Sequence, residues 1–230
     1  MKFRLRLSIL VTATALVLAP LTISAKEGEF KLPKPRLKGQ LSVEAAMVAK
    51  KTVRHFSKKP LTLEQVSQIL WSANGDLPTD AITSATRKVI ASAGALYPLE
   101  VFLLTGKDTV GALPPAVYRY NPRKHALETV AAGDKRSGVA GASFSQMWLA
   151  KAPAIVLIAA VPPRTTVKYG KRGMRYIFME VGAADQNIYL QAEALGLHAG
   201  TVGAFQDPLV AKAAKLPSSA MPALLVAIGN

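Results

Sequence analysis

The amino-acid sequence predicts an α+β domain, and three features predict it. Apolar residues recur at intervals of three and four between positions 174 and 195, the period of a long helix. Residues 117–120 and 126–130 flank Asn121-Pro122-Arg123 as the two arms of a β-hairpin. Residues 155–161 form a continuous apolar run, as expected for a strand covered on both faces. Helices and strands mix along the chain without regular βαβ alternation, which favours α+β over a doubly wound sheet.

The chain opens with Lys2, Arg4 and Arg6 and no acid, then an apolar run at 7–23 diluted by Ser8, Thr12, Thr14, Pro20 and Thr22. That is the layout of a signal peptide. The run falls short of the roughly 20 apolar residues of a spanning helix and ends at Ser24-Ala25, so cleavage after Ala25 is expected, with an uncleaved anchor as the alternative. Arg4 and Arg6 are not adjacent, which points away from twin-arginine export. Residues 26–40 hold Pro33, Pro35, Gly39 and five lysines or arginines without apolar periodicity. They read as a flexible lead-in, and residues 41–230 as one domain.

Ser42 caps a first helix with Val43, Ala46, Met47 and Lys50 on one face and an expected end at Arg54. Thr62 and Gln65 form a capping box for a second helix that stops at Gly75. Residues 76–91 are polar and irregular, 92–98 is a loop or helix start, and a strand comes next at 100–105. After the hairpin, 143–151 is expected as a helix and 155–161 as the buried strand. The long helix at 174–195 carries a stripe of Ile177, Val181, Ala184, Ile188, Ala192 and Leu195, a core or dimer face, and Gly196 ends it. Strands at 201–205 and 223–228 complete the domain.

The formal net charge is +15, and the chain stays strongly cationic without Lys2, Arg4 and Arg6. Its basic residues are spread except at 26–38 and 50–59, so an anionic cofactor, substrate or envelope surface is expected and nucleic acid is not. With no cysteine there is no disulfide, thiolate metal site or lipoprotein anchor, and redox chemistry requires a bound cofactor.

Four segments could carry chemistry. Lys50, Lys51, Thr52 and Arg54 would set three cations and a hydroxyl in one helical turn, suited to a phosphate, although a basic helix end also suits the helix dipole. Ser92, Ala93, Gly94 and Ala95 offer small residues and free N–H groups for a flat ring or an anion, or make an ordinary loop. Val202, Gly203 and Ala204, after Gly200, do the same around a short strand, or form a bulge. Lys168 and Tyr169 sit among Lys171, Arg172 and Arg175, and could exchange a proton with substrate if they occupy an irregular turn set by Gly170 and Gly173, or they form a basic loop with one tyrosine packed on the helix. No GxGxxG, GxxxxGK[ST] or HExxH motif is present, no metal site is expected, and His55, His125 and His198 stand apart without partner motifs.

These segments occur together, in order, with Tyr118-Arg119-Tyr120, Gly133-Asp134-Lys135-Arg136, Gln146-Met147-Trp148, Ala152-Pro153-Ala154, Arg172-Gly173-Met174-Arg175-Tyr176, Glu180-Val181-Gly182, Gln186-Asn187 and Val202-Gly203-Ala204-Phe205. With Ser92-Ala93-Gly94-Ala95-Leu96-Tyr97-Pro98-Leu99-Glu100 they resemble the SagB/ThcOx-type domain of the nitroreductase superfamily over about residues 41–229. The resemblance implies an FMN-binding antiparallel sheet flanked by helices, with flavin at a dimer interface and, with one copy in the chain, a homodimer. It implies phosphate binding by Lys50, Lys51, Thr52 and Arg54, a flavin-facing loop at Ser92, Ala93, Gly94 and Ala95, contact with the reactive ring edge by Val202, Gly203 and Ala204, and proton removal by Lys168 and Tyr169.

Two departures stand out: Ala91 replaces the usual proline, and the chain ends at Asn230 where many nitroreductases continue with basic residues. Either Lys50–Arg54 carries the phosphate, alone or with Arg172 or Arg175, or FMN binding is weak. An exported, periplasmic or secreted enzyme meets no dependable nicotinamide pool, so dehydrogenation of a small-molecule or peptide-derived substrate is expected, with oxygen or a redox partner protein exchanging electrons. The alternative is a non-catalytic cationic module on the same scaffold that has lost FMN and holds an envelope polymer.

Overall fold

The computed structural model describes residues 28–78 and 87–230. The expected signal segment, 1–25, lies outside them. The strands are β1 (Glu29–Lys31), β2 (Asp76–Leu77), β3 (Arg87–Lys88), β4 (Leu99–Thr105), β5 (Ala116–Asn121), β6 (Ala126–Ala132), β7 (Ala154–Ala160), β8 (His198–Val202) and β9 (Met221–Gly229). The helices are α1 (Val43–Ala49), α2 (Leu63–Asn74), α3 (Arg136–Ala142), α4 (Trp148–Lys151), α5 (Pro163–Tyr169), α6 (Gly173–Ala194) and α7 (Asp207–Ala213). None of the described helices is long and apolar enough to cross a membrane.

Seven strands form one sheet in the order β1-β6-β5-β4-β7-β9-β8, with every neighbouring pair antiparallel. Helices cover both faces. The interior strand β7 is buried at every position because its residues point alternately to two cores. Ala154, Val156, Ile158 and Ala160 join Ile69 and Leu70 of α2 and Ile177, Val181 and Ile188 of α6. Ile155, Leu157 and Ala159 join Val139 of α3, Leu149 of α4 and Val210 of α7. Each such leucine or isoleucine removed from water contributes about 1.5–3 kcal/mol.

The expected lead-in is in part a strand of this sheet: β1 pairs with β6, and Leu32 is buried in the core. Long-range hydrogen bonds hold Pro33 and Arg36 beyond it. The Pro33 carbonyl accepts from Ser67 Oγ and from His125 Nε2 at 2.8 Å, and Arg36 exchanges two bonds with the Gln68 amide. The prolines and lysines here lack periodicity because an edge strand has one partner and one covered face.

Three further expectations change. The first helix keeps its Ser42 cap but ends at Ala49, since Lys50 turns to φ −54°, ψ 126°. The helix expected at 143–151 shrinks to α4 at Trp148–Lys151, because left-handed Phe144 and Ser145 turn the chain before it, and a separate helix, α3, lies ahead of that turn. The α6 stripe is wholly internal, with Ile177, Val181, Ala184, Ile188 and Ala192 in the subunit's own core. It leaves Phe178 and Met179 of α6 exposed, along with Val43, Met47 and Val48 of α1. Helices α5 and α7 gave no amphipathic signal; Val167 of α5 and Leu209 of α7 face solvent.

Candidate functional site

The structure sorts the candidate residues into two clusters. In the first, Lys50, Lys51, Thr52 and Arg54 do not share a helical turn. The chain runs extended along β8: Thr52 bridges Ala199, and the Val53 N–H donates to the Ala199 carbonyl at 2.9 Å. Tyr189 of α6 locks this approach, its hydroxyl accepting from the Thr201 N–H at 3.1 Å and meeting Thr52 Oγ1 at 3.2 Å.

Lys50 is turned inward. Its Nζ lies 4.6 Å from the centre of the Tyr189 ring. It also faces Asp185, whose carboxylate accepts from Thr201 Oγ1 at 2.7 Å. Burial pushes the Asp185 pKa up, while Thr201 and Lys50 hold it back. Arg54 lies 5.8 Å from the Trp148 ring centre, and Trp148 stacks on Phe56 at 6.4 Å. Lys51 and Arg54 are exposed and make no ion pair among the described residues. Strand β8 ends in buried Val202 and continues into exposed Gly203 and Ala204, so one strand joins the basic segment to this backbone.

In the second cluster, Lys168 and Tyr169 belong to the last turn of α5 and not to an irregular loop. Gly170, with φ +53°, stops the helix behind them. Both side chains nevertheless reach one point. A Cβ placed on Gly94 would stand 2.8 Å from Tyr169 Oη and 3.0 Å from Lys168 Nζ. Ser92, Ala93, Gly94 and Ala95 form a single 3₁₀ turn in which Gly94 has φ +62°. Tyr176 of α6 packs edge-on against Tyr169, ring centres 5.0 Å apart, and takes a hydrogen bond from Arg172 Nε at 3.0 Å. Arg164, one turn before Lys168, pairs with Glu100 at 2.6 Å.

Glu180 lies beneath this loop, accepting from Ser92 Oγ and from the Ala93 N–H, each at 3.0 Å. Its burial raises its pKa above the ordinary carboxylate value, against those two bonds. Glu180 and Tyr189 are nine residues apart on α6, two and a half turns, so they stand on opposite sides of the helix. The basic segment and the Gly94 loop therefore flank the α6 core stripe from its two edges. Arg172 falls in the Tyr169 cluster, its Nε bonded to the Tyr176 hydroxyl. Glu180, Tyr189 and Trp148 carry no local signal of a site role, because they act through Ser92, Thr52 and Arg54, far away in sequence.

A model of the nitroreductase family matches residues 47–230. A protein of Methanocaldococcus jannaschii that bears a nitroreductase name is 37% identical over 191 residues, 83% of this chain and 92% of its own. The crystal structure of a protein of Ralstonia eutropha described as a nitroreductase superposes with a TM-score of 0.75 at 26% identity, covering 89% of this chain and 90% of the other. A chain of the Escherichia coli microcin synthetase McbBCD complex, with truncated pro-MccB17 bound, superposes at a TM-score of 0.67 and 25% identity, covering 94% and 84%.

Proposed function

The chain belongs to the nitroreductase family, and from that premise we propose that it is an exported, FMN-dependent, SagB-type enzyme that dehydrogenates an organic substrate. The residues present fit FMN. Lys51, Thr52 and Arg54 would hold the phosphate, with Lys50 as their buttress, and exposed Gly203 and Ala204 leave room for a flat ring beside them. Bound FMN would supply the two-electron acceptor that no side chain of a cysteine-free chain offers.

The observation that carries the reading is the meeting of Tyr169 Oη and Lys168 Nζ at Gly94. Two groups able to hold a proton converge on a loop kept free of side-chain bulk. They would take and pass on the proton that a substrate loses as it is oxidised. The similarity to a complex holding a peptide precursor supports a peptide-derived substrate and partner proteins.

With the two clusters at opposite edges of α6, the reading adds a homodimer in which they would meet as a composite site across the contact. The basic segment and residues 202–204 come from one subunit, and Ser92–Ala95 with Lys168 and Tyr169 from the other. Exposed Phe178, Met179, Val43, Met47 and Val48 provide apolar surface for that contact. Purification with excess FMN tests the reading: a yellow dimer with one flavin per subunit is expected. A colourless protein at saturating FMN would overturn it and favour the module that lost its flavin. N-terminal sequencing of the exported chain, expected to begin at Lys26, tests export.

A further inference from the structure

The loop from Ser92 to Tyr97 is costly to form. Gly94, Ala95 and Tyr97 all have left-handed backbones, with φ of +62°, +55° and +45°. Glycine accepts this freely, whereas in alanine and tyrosine the Cβ crowds the following carbonyl oxygen. Contacts from outside the loop hold it: Arg164 Nη1 donates to the Tyr97 carbonyl at 3.4 Å and Lys88 Nζ lies 5.6 Å from the Tyr97 ring centre, while Glu180 fastens the other end. Only 5% of Glu180 is exposed. Its Oε1 accepts from both Ser92 Oγ and the Ala93 N–H, and Ser92 Oγ accepts in turn from the Tyr97 N–H at 2.9 Å. One carboxylate oxygen thus fastens the Ser92 end directly and reaches the Tyr97 end through Ser92. Among the described residues its other oxygen, Oε2, is buried without a partner, so the hydrogen bonds of this carboxylate all go through Oε1 to the loop.

Tyr176, four residues earlier and one turn away on α6, holds the ring of Tyr169. A single turn of α6 therefore grips both sides of the meeting point, the loop through Glu180 and the phenol through Tyr176. We infer that Glu180 is a positioning residue for the Lys168–Tyr169 pair, setting the backbone at Gly94 against Tyr169 Oη and Lys168 Nζ. This rests on the proton-transfer reading of that pair.

Hydrogen exchange of the full chain, read on residues 92–97, tests it without flavin or substrate. Acetylation of Lys168 by acetic anhydride, relative to Lys171, is measured in the same samples. Glu180→Ala should speed both by about ten-fold, because two hydrogen bonds to a buried acceptor are lost. Glu180→Gln keeps an oxygen acceptor and should stay near wild type. If Glu180→Ala does not fold, Ser92→Ala removes one donor and should accelerate the same two signals. Wild-type rates in the alanine variants, or faster exchange spread evenly over the chain, would overturn the inference, as would Glu180→Gln behaving like Glu180→Ala. Failure to bind FMN would sink the flavin reading and leave these measurements unmoved, so the two failures are distinguishable.

Discussion

Gly200 and Val53 are packed so closely that no side chain fits between them. A Cβ on Gly200 would run into the Val53 carbonyl oxygen and stand 3.0 Å from the Trp148 ring. The glycine thus lets the basic segment lie against β8. Gly200→Ala is expected to cost ~1–3 kcal/mol, the usual range for overpacking, and to weaken FMN binding by displacing Lys51 and Arg54. Thermal unfolding and FMN titration check the two effects separately, and a variant with wild-type affinity would show that the close approach is structural only.

Losing Lys51 and Arg54 together should weaken FMN binding by at least one to two decades, since a single hydrogen bond to a charged group is worth about 1.5–3 kcal/mol. Both side chains are exposed and outside ion pairs among the described residues, so the fold should survive. Lys50→Ala should instead lower stability, because Lys50 rests on Tyr189 and faces Asp185. An unchanged FMN dissociation constant in the double variant would remove the assignment.

Lys168→Ala and Tyr169→Phe should keep flavin and slow its reduction by substrate by ~100- to 10,000-fold. Gly94→Ala should do the same and also strain the loop, as its added methyl meets Tyr169 Oη at 2.8 Å in a left-handed backbone. Stopped-flow single turnovers read the rate. Loss of flavin in the Lys168 and Tyr169 variants would make the pair structural.

A composite site predicts complementation. Lys51→Ala/Arg54→Ala subunits mixed with Lys168→Ala/Tyr169→Phe subunits, unfolded together and refolded, should recover flavin reduction that neither parent shows. Each mixed dimer would hold one intact site. No recovery in a confirmed heterodimer would place both clusters in one subunit.

Acid should loosen the N-terminal strand. Burial holds the His125 imidazole below its ordinary 6.5, against the pull of the Pro33 carbonyl. The carbonyl can only accept, so neutral His125 donates from Nε2 and accepts at Nδ1 from the Tyr120 hydroxyl, 2.9 Å away. The folded chain therefore binds this proton less readily than the unfolded chain. The stability contributed is complete above about 6.5 and is lost as pH falls from there through the folded value. The hydrogen-exchange protection of residues 29–36, corrected for the intrinsic pH dependence of amide exchange, should fall on acidification, and His125→Gln should flatten that dependence.

Periodicity and capping made the elements legible from the sequence: the Thr62–Gln65 box, the β5–β6 hairpin, the two-faced β7 and the α6 stripe all appear where local pattern puts them. The string from Ser92 to Glu100, with the segments that follow it in order, carried the family resemblance. These signals are local, because a helix or strand writes its burial into neighbouring residues. Tertiary structure decided the rest. Lys50–Arg54 looked like a helix end, yet Ala199 supplies a hydrogen-bond partner 146 positions after Val53 and draws the segment straight. The prolines and lysines before Leu41 looked loose, yet Phe30 pairs with Leu127 and the Pro33 carbonyl binds His125. Lys168 and Tyr169 were legible as a pair, but their meeting with Gly94 depends on how α5 packs beside the loop. Such contacts join residues far apart in sequence, and only the closed chain brings them into range.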